Sequence, residues 1–77
     1  MDVELEFLVE PFKEGDPGPH VTEALEAVEA TGLTAEMGAF ATSTSGDLAT
    51  VANAVHDLIV AAMDRGASRL QIQVSRH

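Results

Sequence analysis

The stretch LTAEMGAFATSTSGDL, residues 33–48, lies between two segments with helical patterns and decides how they are connected. It is long enough for two short strands joined by a turn, and Gly38 offers a position where the backbone can bend or bulge. Ser45-Gly46-Asp47 predicts the turn that starts the second helix, with Asp47 or Ser45 as the N-cap. We therefore expect a strand-rich connection, and its dense group of hydroxyl side chains gives it binding potential.

The segment before this stretch predicts a strand and a helix. Residues 2–10 alternate in the pattern of a strand with one face on a core. The inward face would consist of Val3, Leu5, Phe7 and Val9, and the outward face of Glu4, Glu6, Leu8 and Glu10. Pro11 cannot donate to a strand ladder and ends the pattern. A helix is predicted to begin near Gly18 or Pro19 and to end at Gly32, which would form a left-handed cap.

The segment after the stretch predicts a second helix and a last strand. The helix should run from about Asp47 to Arg65, with Gly66 as its C-terminal cap. Its core side is expected to carry Leu48, Val51, Ala52, Val55, Leu58, Ile59 and Ala62. Residues 68–76 alternate again, with Leu70, Ile72 and Val74 inward.

The order of the elements predicts the fold. Strand, helix, two short strands, helix and strand follow without a linker, so residues 1–77 are expected to form one domain. Two interleaved βαβ units predict an α+β, ferredoxin-like βαββαβ sandwich, an antiparallel sheet with both helices on one face. The first strand and the strand near Thr42 would be central, and the last strand would place Gln71 and Gln73 beside Glu4 and Glu6. No element of the chain would then cover the other face of the sheet.

The composition favours self-association. A chain of 77 residues without cysteine has a small core and no disulfides, and twelve of its residues are alanine. Small cores of this kind are often supplemented by oligomerisation. Leu8 and Phe40 on the uncovered sheet face indicate a partner, for which an isologous homodimer packed sheet to sheet is the simplest arrangement.

The charge excludes some classes of partner. Thirteen acidic residues stand against four basic ones, for a formal net charge of -9, so nucleic-acid binding is not expected. Acidic residues on exposed helix positions and scarce lysine are typical of a halophilic-type surface from a salt-rich cytoplasm. The alternative interpretation is an acidic surface that attracts a cationic ligand. Neither a leader nor an apolar run of transmembrane length is evident, so we expect a cytoplasmic protein without membrane contact.

Several short motifs are spread over nearly the whole chain. They are LVEPF at 8–12, TGL at 31–33, EMGAFATSTSG at 36–46, His56, and GASRL at 66–70. In order and spacing they resemble the thiamine-binding-like family, the single-domain relatives of the bacterial thiamine/hydroxymethylpyrimidine-binding protein. The family usually has proline, glycine and glutamate where this chain has Ala39, Ala41 and Ser45. The resemblance implies a ferredoxin-like subunit that forms dimers or tetramers and binds thiamine or a related pyrimidine without catalysis.

A thiamine site needs an apolar or aromatic wall, a carboxylate for the cationic thiazolium, and hydroxyls or amides for the aminopyrimidine. The candidate ligand-binding residues of these types are Glu6, Glu36, Phe40, Thr42, Ser43 and Ser45. An alternative is that Phe40 packs at a subunit interface, that the glutamates are solvated, and that the hydroxyls cap the second helix. Both interpretations stay open at the level of the sequence.

The histidines do not predict a metal site. His20, His56 and His77 lack metal-ligand spacing, and we expect neither a metal nor another cofactor. His56 is a further candidate ligand-binding residue, although its off-stripe position on the second helix also suits an exposed or interface histidine. No nucleophile–base pair or phosphate loop is evident in the sequence, so we do not expect an enzyme.

Three functional hypotheses follow from the sequence. The first is a non-catalytic small-ligand binder of the thiamine-like class, with its site at or near a subunit interface. The second is an oligomeric scaffold or regulatory module without ligand binding, which Ser45 in place of the family glutamate favours. The third is a small cofactor-free dimeric enzyme with His56 as its base.

Overall fold

The computed structural model describes residues 1–13 and 15–77. Its elements are β1 (Asp2–Glu10), α1 (Pro19–Glu29), β2 (Glu36–Met37), β3 (Thr42–Asp47), α2 (Leu48–Asp64) and β4 (Arg69–Arg76). The strands form one antiparallel sheet in the order β2-β3-β1-β4. This topology confirms the predicted α+β, ferredoxin-like fold, with β1 and β3 in the centre of the sheet. No helix within 1–13 and 15–77 is both long and apolar enough to cross a bilayer.

The hydrophobic core lies between one face of the sheet and the two helices. Its buried members are Val3, Leu5, Phe7 and Val9 from β1, Val21, Ala24 and Val28 from α1, and Val51, Ala54, Leu58 and Ala62 from α2. The alternation of β1 and the helical spacing of α1 and α2 direct these side chains into one layer. Because alanines occupy several helix positions, the helices can pack closely against each other and against the sheet.

The connection from β3 to α2 is shorter than the sequence suggests. Ser45, Gly46 and Asp47 were expected to form a turn, but β3 continues through all of them, paired with β1. Gly46 is accommodated there by its lack of a side chain, since a Cβ atom would lie 2.6 Å from Cδ2 of Leu33. The predicted cap is confirmed, because the Asp47 carboxylate accepts a hydrogen bond of 3.1 Å from the backbone N–H of Ala49.

α1 begins at Pro19 as predicted but ends at Glu29, three residues before Gly32, and the orientation of α2 is only partly as expected. Gly32 and Gly66 adopt φ angles of 95° and 100°, the left-handed conformation of C-terminal caps. Leu48, Ala52 and Ile59 were expected in the core but are exposed, and Ala54 is buried instead. Because α2 also carries apolar residues outside its core stripe, hydrophobic spacing alone does not define one buried face.

The orientation of α2 can be tested with two neighbouring residues. Leu58 is 0% exposed and Ile59 is 40% exposed. We expect Leu58→Ala to lower the free energy of unfolding by about 2–5 kcal/mol, because it leaves a cavity in the core. Ile59→Ala should lower the free energy of unfolding much less. Urea denaturation in a buffer that keeps the parent protein folded measures both, and an equal or reversed ranking would contradict this placement.

Candidate ligand-binding site

The sheet face opposite the helices is organised around the outward side chains of β1. The strand register places Glu6 between Ser43 of β3 and Gln73 of β4. Glu4 lies in the next row, between Ser45 and Ser75. Since directly opposed residues on one sheet face have neighbouring side chains, each of these glutamates is flanked by uncharged hydrogen-bonding groups.

The carboxylates of this face differ in their partners. Glu10 accepts a hydrogen bond of 3.1 Å from Nε2 of Gln71, and its Oε2 lies 3.4 Å from Nε of Arg69. For Glu4, Glu6 and Glu36 no ion pair is found within the described part of the chain. The face therefore has a neutralised end at Glu10 and an acidic region around the other three.

An apolar cavity of about 230 Å³ opens at the end of the sheet where β1 finishes and β3 begins. Its walls come from Phe7, Leu8 and Val9, from Phe12 and Val21, and from residues 37–42. Phe40 belongs to the turn between β2 and β3 and is 90% exposed. The ring is therefore an exposed apolar surface at the cavity, to which a ligand or a partner could bind.

A second cavity, also of about 230 Å³, adjoins the first one at Phe40 and Ala41 and opens onto the uncovered sheet face. Its other side chains on that face are Glu6, Leu8, Gln71 and Gln73. An apolar cavity and a cavity with a carboxylate and two amides thus adjoin each other, and Phe40 lines both.

A third cavity, of about 280 Å³, is polar and lies toward the other end of the uncovered face. It is lined by Glu4, Thr34, Glu36, Ser43, Thr44 and Ser45. The hydroxyl of Thr44 donates a hydrogen bond of 2.7 Å to the carbonyl oxygen of Thr34. This bond links β3 to the segment before β2 and so holds the rim of the cavity that carries Glu36.

The structure brings most of the predicted ligand-binding residues to these cavities, in separate groups. Glu36, Ser43 and Ser45 line the third cavity, and Glu6 and Phe40 line the second. Thr42 lines the apolar cavity with Phe40, but it is buried and pairs with Phe7, so it shares the helix side of the sheet rather than the uncovered face.

His56 lies apart from the other candidates. It is on α2, in the layer on the opposite side of the sheet from Glu6 and Ser43, and it lines none of the three cavities. Its side chain is 76% exposed, and its Nδ1 atom is 3.1 Å from Oδ1 of Asp57. His56, the base in the enzyme hypothesis, therefore lies outside these three cavities. Among the described residues, no group of three or more His, Asp or Glu side chains is placed to hold a metal ion.

Residues outside the predicted set also line the cavities. Leu8, Gln71 and Gln73 belong to the second cavity, and Phe12 and Met37 to the first. The alternation of the two outer sequence segments places Leu8, Gln71 and Gln73 on the uncovered face, and this signal could have identified them as site residues. The roles of Phe12 and Met37 depend on how the loop after β1 meets the turn after β2, which local sequence does not specify.

These features describe a small α+β domain with one uncovered, acidic sheet face and adjoining cavities of ligand size. Residues 5–76 match the profile of the thiamine-binding protein family, and the chain belongs to that family. The match confirms the resemblance indicated by the sequence motifs. A search of curated proteins gave no match.

Solved structures share the fold over nearly the full chain. A domain of unknown function, DUF77, from Bacillus cereus is 28% identical with a TM-score of 0.72, and the match covers 100% of this chain and 75% of that one. A Thermotoga maritima protein assigned provisionally to thiamine biosynthesis or salvage is 22% identical with a TM-score of 0.73, covering 100% of this chain and 85% of that one. A hypothetical protein from Methanocaldococcus jannaschii is 20% identical with a TM-score of 0.70, and the match covers 96% of this chain and 76% of that one.

The hydrogen bond at the rim of the third cavity can be tested with two isosteric substitutions. Thr44→Val removes the donor to the Thr34 carbonyl, and we expect it to lower the free energy of unfolding by about 1 kcal/mol. Thr42→Val is the matched control, since Thr42 is buried in the same strand and its hydroxyl makes no hydrogen bond among the described contacts. Equal losses in denaturant unfolding would show that the Thr44 hydrogen bond has no specific stabilising role.

Proposed function

We propose that this protein is a non-catalytic binder of thiamine or a related pyrimidine/thiazole compound. The observation that carries the proposal is the position of Phe40, an exposed aromatic residue that lines both an apolar cavity and a cavity with Glu6, Gln71 and Gln73. Membership of the thiamine-binding protein family supports the same class of ligand.

The second cavity offers groups that suit both rings of such a ligand. A thiazolium carries a permanent positive charge, which is favoured by a carboxylate and by the face of an aromatic ring. Glu6 and Phe40 supply these groups in the lining of one cavity. An aminopyrimidine has donors and acceptors along its edge, and the amide groups of Gln71 and Gln73 provide both. The adjoining apolar cavity can bury the uncharged part of a ring system.

A second copy of the chain is part of the proposal. Leu8 is half-buried and Phe40 is exposed on or beside the uncovered face, and their burial would be favourable in an assembly. An isologous homodimer, or a tetramer built from it, would place two ligand sites near the subunit interface. In such an assembly, Phe40 would contact both the ligand and the partner subunit.

A scaffold or regulatory module without ligand binding is the second candidate function. Ser45 lines the third cavity at the position where the family motif usually has glutamate. That cavity therefore keeps Glu4 and Glu36 but lacks the further carboxylate that the family motif would supply there. Loss of a ligand contact at this point, with assembly retained, would produce such a module.

Thermal unfolding in concentrated KCl, with and without thiamine or hydroxymethylpyrimidine, tests ligand binding. A ligand at about one hundred times its dissociation constant should stabilise the fold by about 2.7 kcal/mol. At about 4–8 °C per kcal/mol for a small domain, Tm should rise by more than about ten degrees. Phe40→Ala should lose most of this shift, measured in each case from the variant's own ligand-free Tm. Met63→Ala, an exposed apolar residue on α2, is the control. No shift with either compound would overturn the proposed function and favour the scaffold.

Sedimentation velocity tests the assembly. We expect the parent protein to sediment as a dimer or tetramer and Leu8→Glu to sediment as a smaller species, because the new charge would be buried against the acidic face of the partner. Val60→Glu introduces the same group at an exposed apolar position of α2 and should leave the assembly intact. Dissociation by Val60→Glu alone would place the interface on the helix layer instead.

A further inference from the structure

We infer that the site accepts an unphosphorylated, cationic ligand and rejects the phosphate esters of the same compound. This inference rests on the proposed function and specifies its ligand: free thiamine, and neither thiamine monophosphate nor thiamine diphosphate. Three features carry it, namely the charges that line the cavities, the positions of the basic residues, and the state of the two helix N-termini.

The described lining of the three cavities contains carboxylates and no basic side chain. Glu6 lines the second cavity, and Glu4 and Glu36 line the third, while the apolar cavity has no charged residue in its wall. Proteins that bind phosphate groups generally use arginine or lysine side chains or the N–H groups of a helix N-terminus. A phosphate beside Glu6 would instead face a charge of its own sign.

The four basic residues are placed elsewhere. Arg65 forms an ion pair with Glu23, and Arg69 lies 3.4 Å from Glu10. Arg76 lies opposite Val3 in the strand register, at the end of β4 that is farther from the second cavity. Lys13 is exposed and follows Phe12, which lines the apolar cavity, so it is the basic residue nearest to the site in sequence.

At both helix N-termini, some of the backbone N–H groups that could bind an anion already have partners within the described residues. At α1, Pro19 has no N–H, and the N–H groups of Val21 and Thr22 donate to the Gly18 carbonyl oxygen at 3.2 and 3.1 Å. At α2, the Asp47 carboxylate already accepts the hydrogen bond of the Ala49 N–H and occupies the position that an anion would take. Val21, in the first turn of α1, lines the apolar cavity. Its N–H group already donates to Gly18, so it is not available to a phosphate in that cavity.

A second copy over the uncovered face would not reverse this charge. Each chain carries thirteen acidic residues and four basic ones, and an isologous contact would bring the same glutamates of the partner subunit toward the site. The repulsion of a phosphate is therefore a property of the assembly as well as of the single chain.

Isothermal titration calorimetry with thiamine, thiamine monophosphate and thiamine diphosphate tests the inference in the assembled protein. We expect the two esters to bind at least about tenfold more weakly than thiamine, because placing like charges together is costly in a partly desolvated site. O-acetylthiamine separates charge from size, since it lengthens the same position without adding a negative charge. It should bind nearly as well as thiamine.

Charge variants and salt give a second measurement. Glu6→Gln should narrow the affinity ratio between thiamine and its diphosphate, whereas Glu26→Gln makes the same change on an exposed position of α1 and should leave the ratio unchanged. Raising KCl should also narrow the ratio, because salt screens both the attraction of the cation and the repulsion of the phosphate.

The outcomes separate this inference from the proposed function. Binding of thiamine with equal or tighter binding of its diphosphate would overturn the inference and leave the function standing. If Lys13→Gln then abolished the diphosphate binding, Lys13 would be the phosphate anchor. Rejection of O-acetylthiamine as strong as that of the monophosphate would show that size, rather than charge, excludes the esters. Failure of thiamine itself to bind would overturn the proposed function, and the inference with it.

Discussion

The register of β1 between β3 and β4 is the constraint on which the rest of the structure depends. One set of alternate residues in β1 fills the core, and Leu5 among them is completely buried. The other set, which includes Glu6, forms the centre of the uncovered face. A slip of one residue would exchange the two sets and place carboxylates in the core, so core packing strongly fixes the register. The same register places Glu6 beside Ser43 and Gln73, and the site is therefore positioned by burial on the opposite side of the sheet.

The small core explains why this chain has a face available for binding. Two helices suffice to cover one side of a four-stranded sheet, and no further element within the described residues lies over the other side. Antiparallel sheets tolerate such exposure when the outward residues are polar, as Glu4, Glu6 and Gln73 are. Leu8 and Phe40 depart from that pattern at one end, next to the cavities. Apolar and acidic residues thus meet at this end of the uncovered face, where the cavity lined by Glu6 and Phe40 has groups of the kind that suit a ring with a positive charge.

The sequence specifies those features that depend on the chemistry of neighbouring residues or on the alternation of inward and outward side chains along a strand. The alternation of β1 and β4, the Asp47 cap and the glycine caps at Gly32 and Gly66 are of this kind, and together they predict the topology. The close approach of Gly46 to Leu33, in contrast, involves residues that are brought together only by the fold. The apolar cavity lined by Phe40 likewise needs two segments that are distant in the chain, residues 7–12 and 37–42. A histidine side chain can hydrogen-bond a ligand, so the sequence makes His56 a candidate. Only the packing of both helices on one face of the sheet shows that His56 lies away from Glu6.

Ligand charge and assembly are linked if a second copy covers the uncovered face. Glu4, Glu6 and Glu36 lack ion-pair partners among the described residues, so a partner with the same face brings like charges together. A cation bound beside Glu6 removes part of this repulsion and lowers the free energy of the assembled state more than that of the single chain. By thermodynamic reciprocity, assembly must then raise the affinity for the cation by the same factor. Concentrated salt weakens the coupling, because screening already reduces the repulsion that the ligand would relieve. An isologous assembly over this acidic face would therefore be strengthened by a cationic ligand.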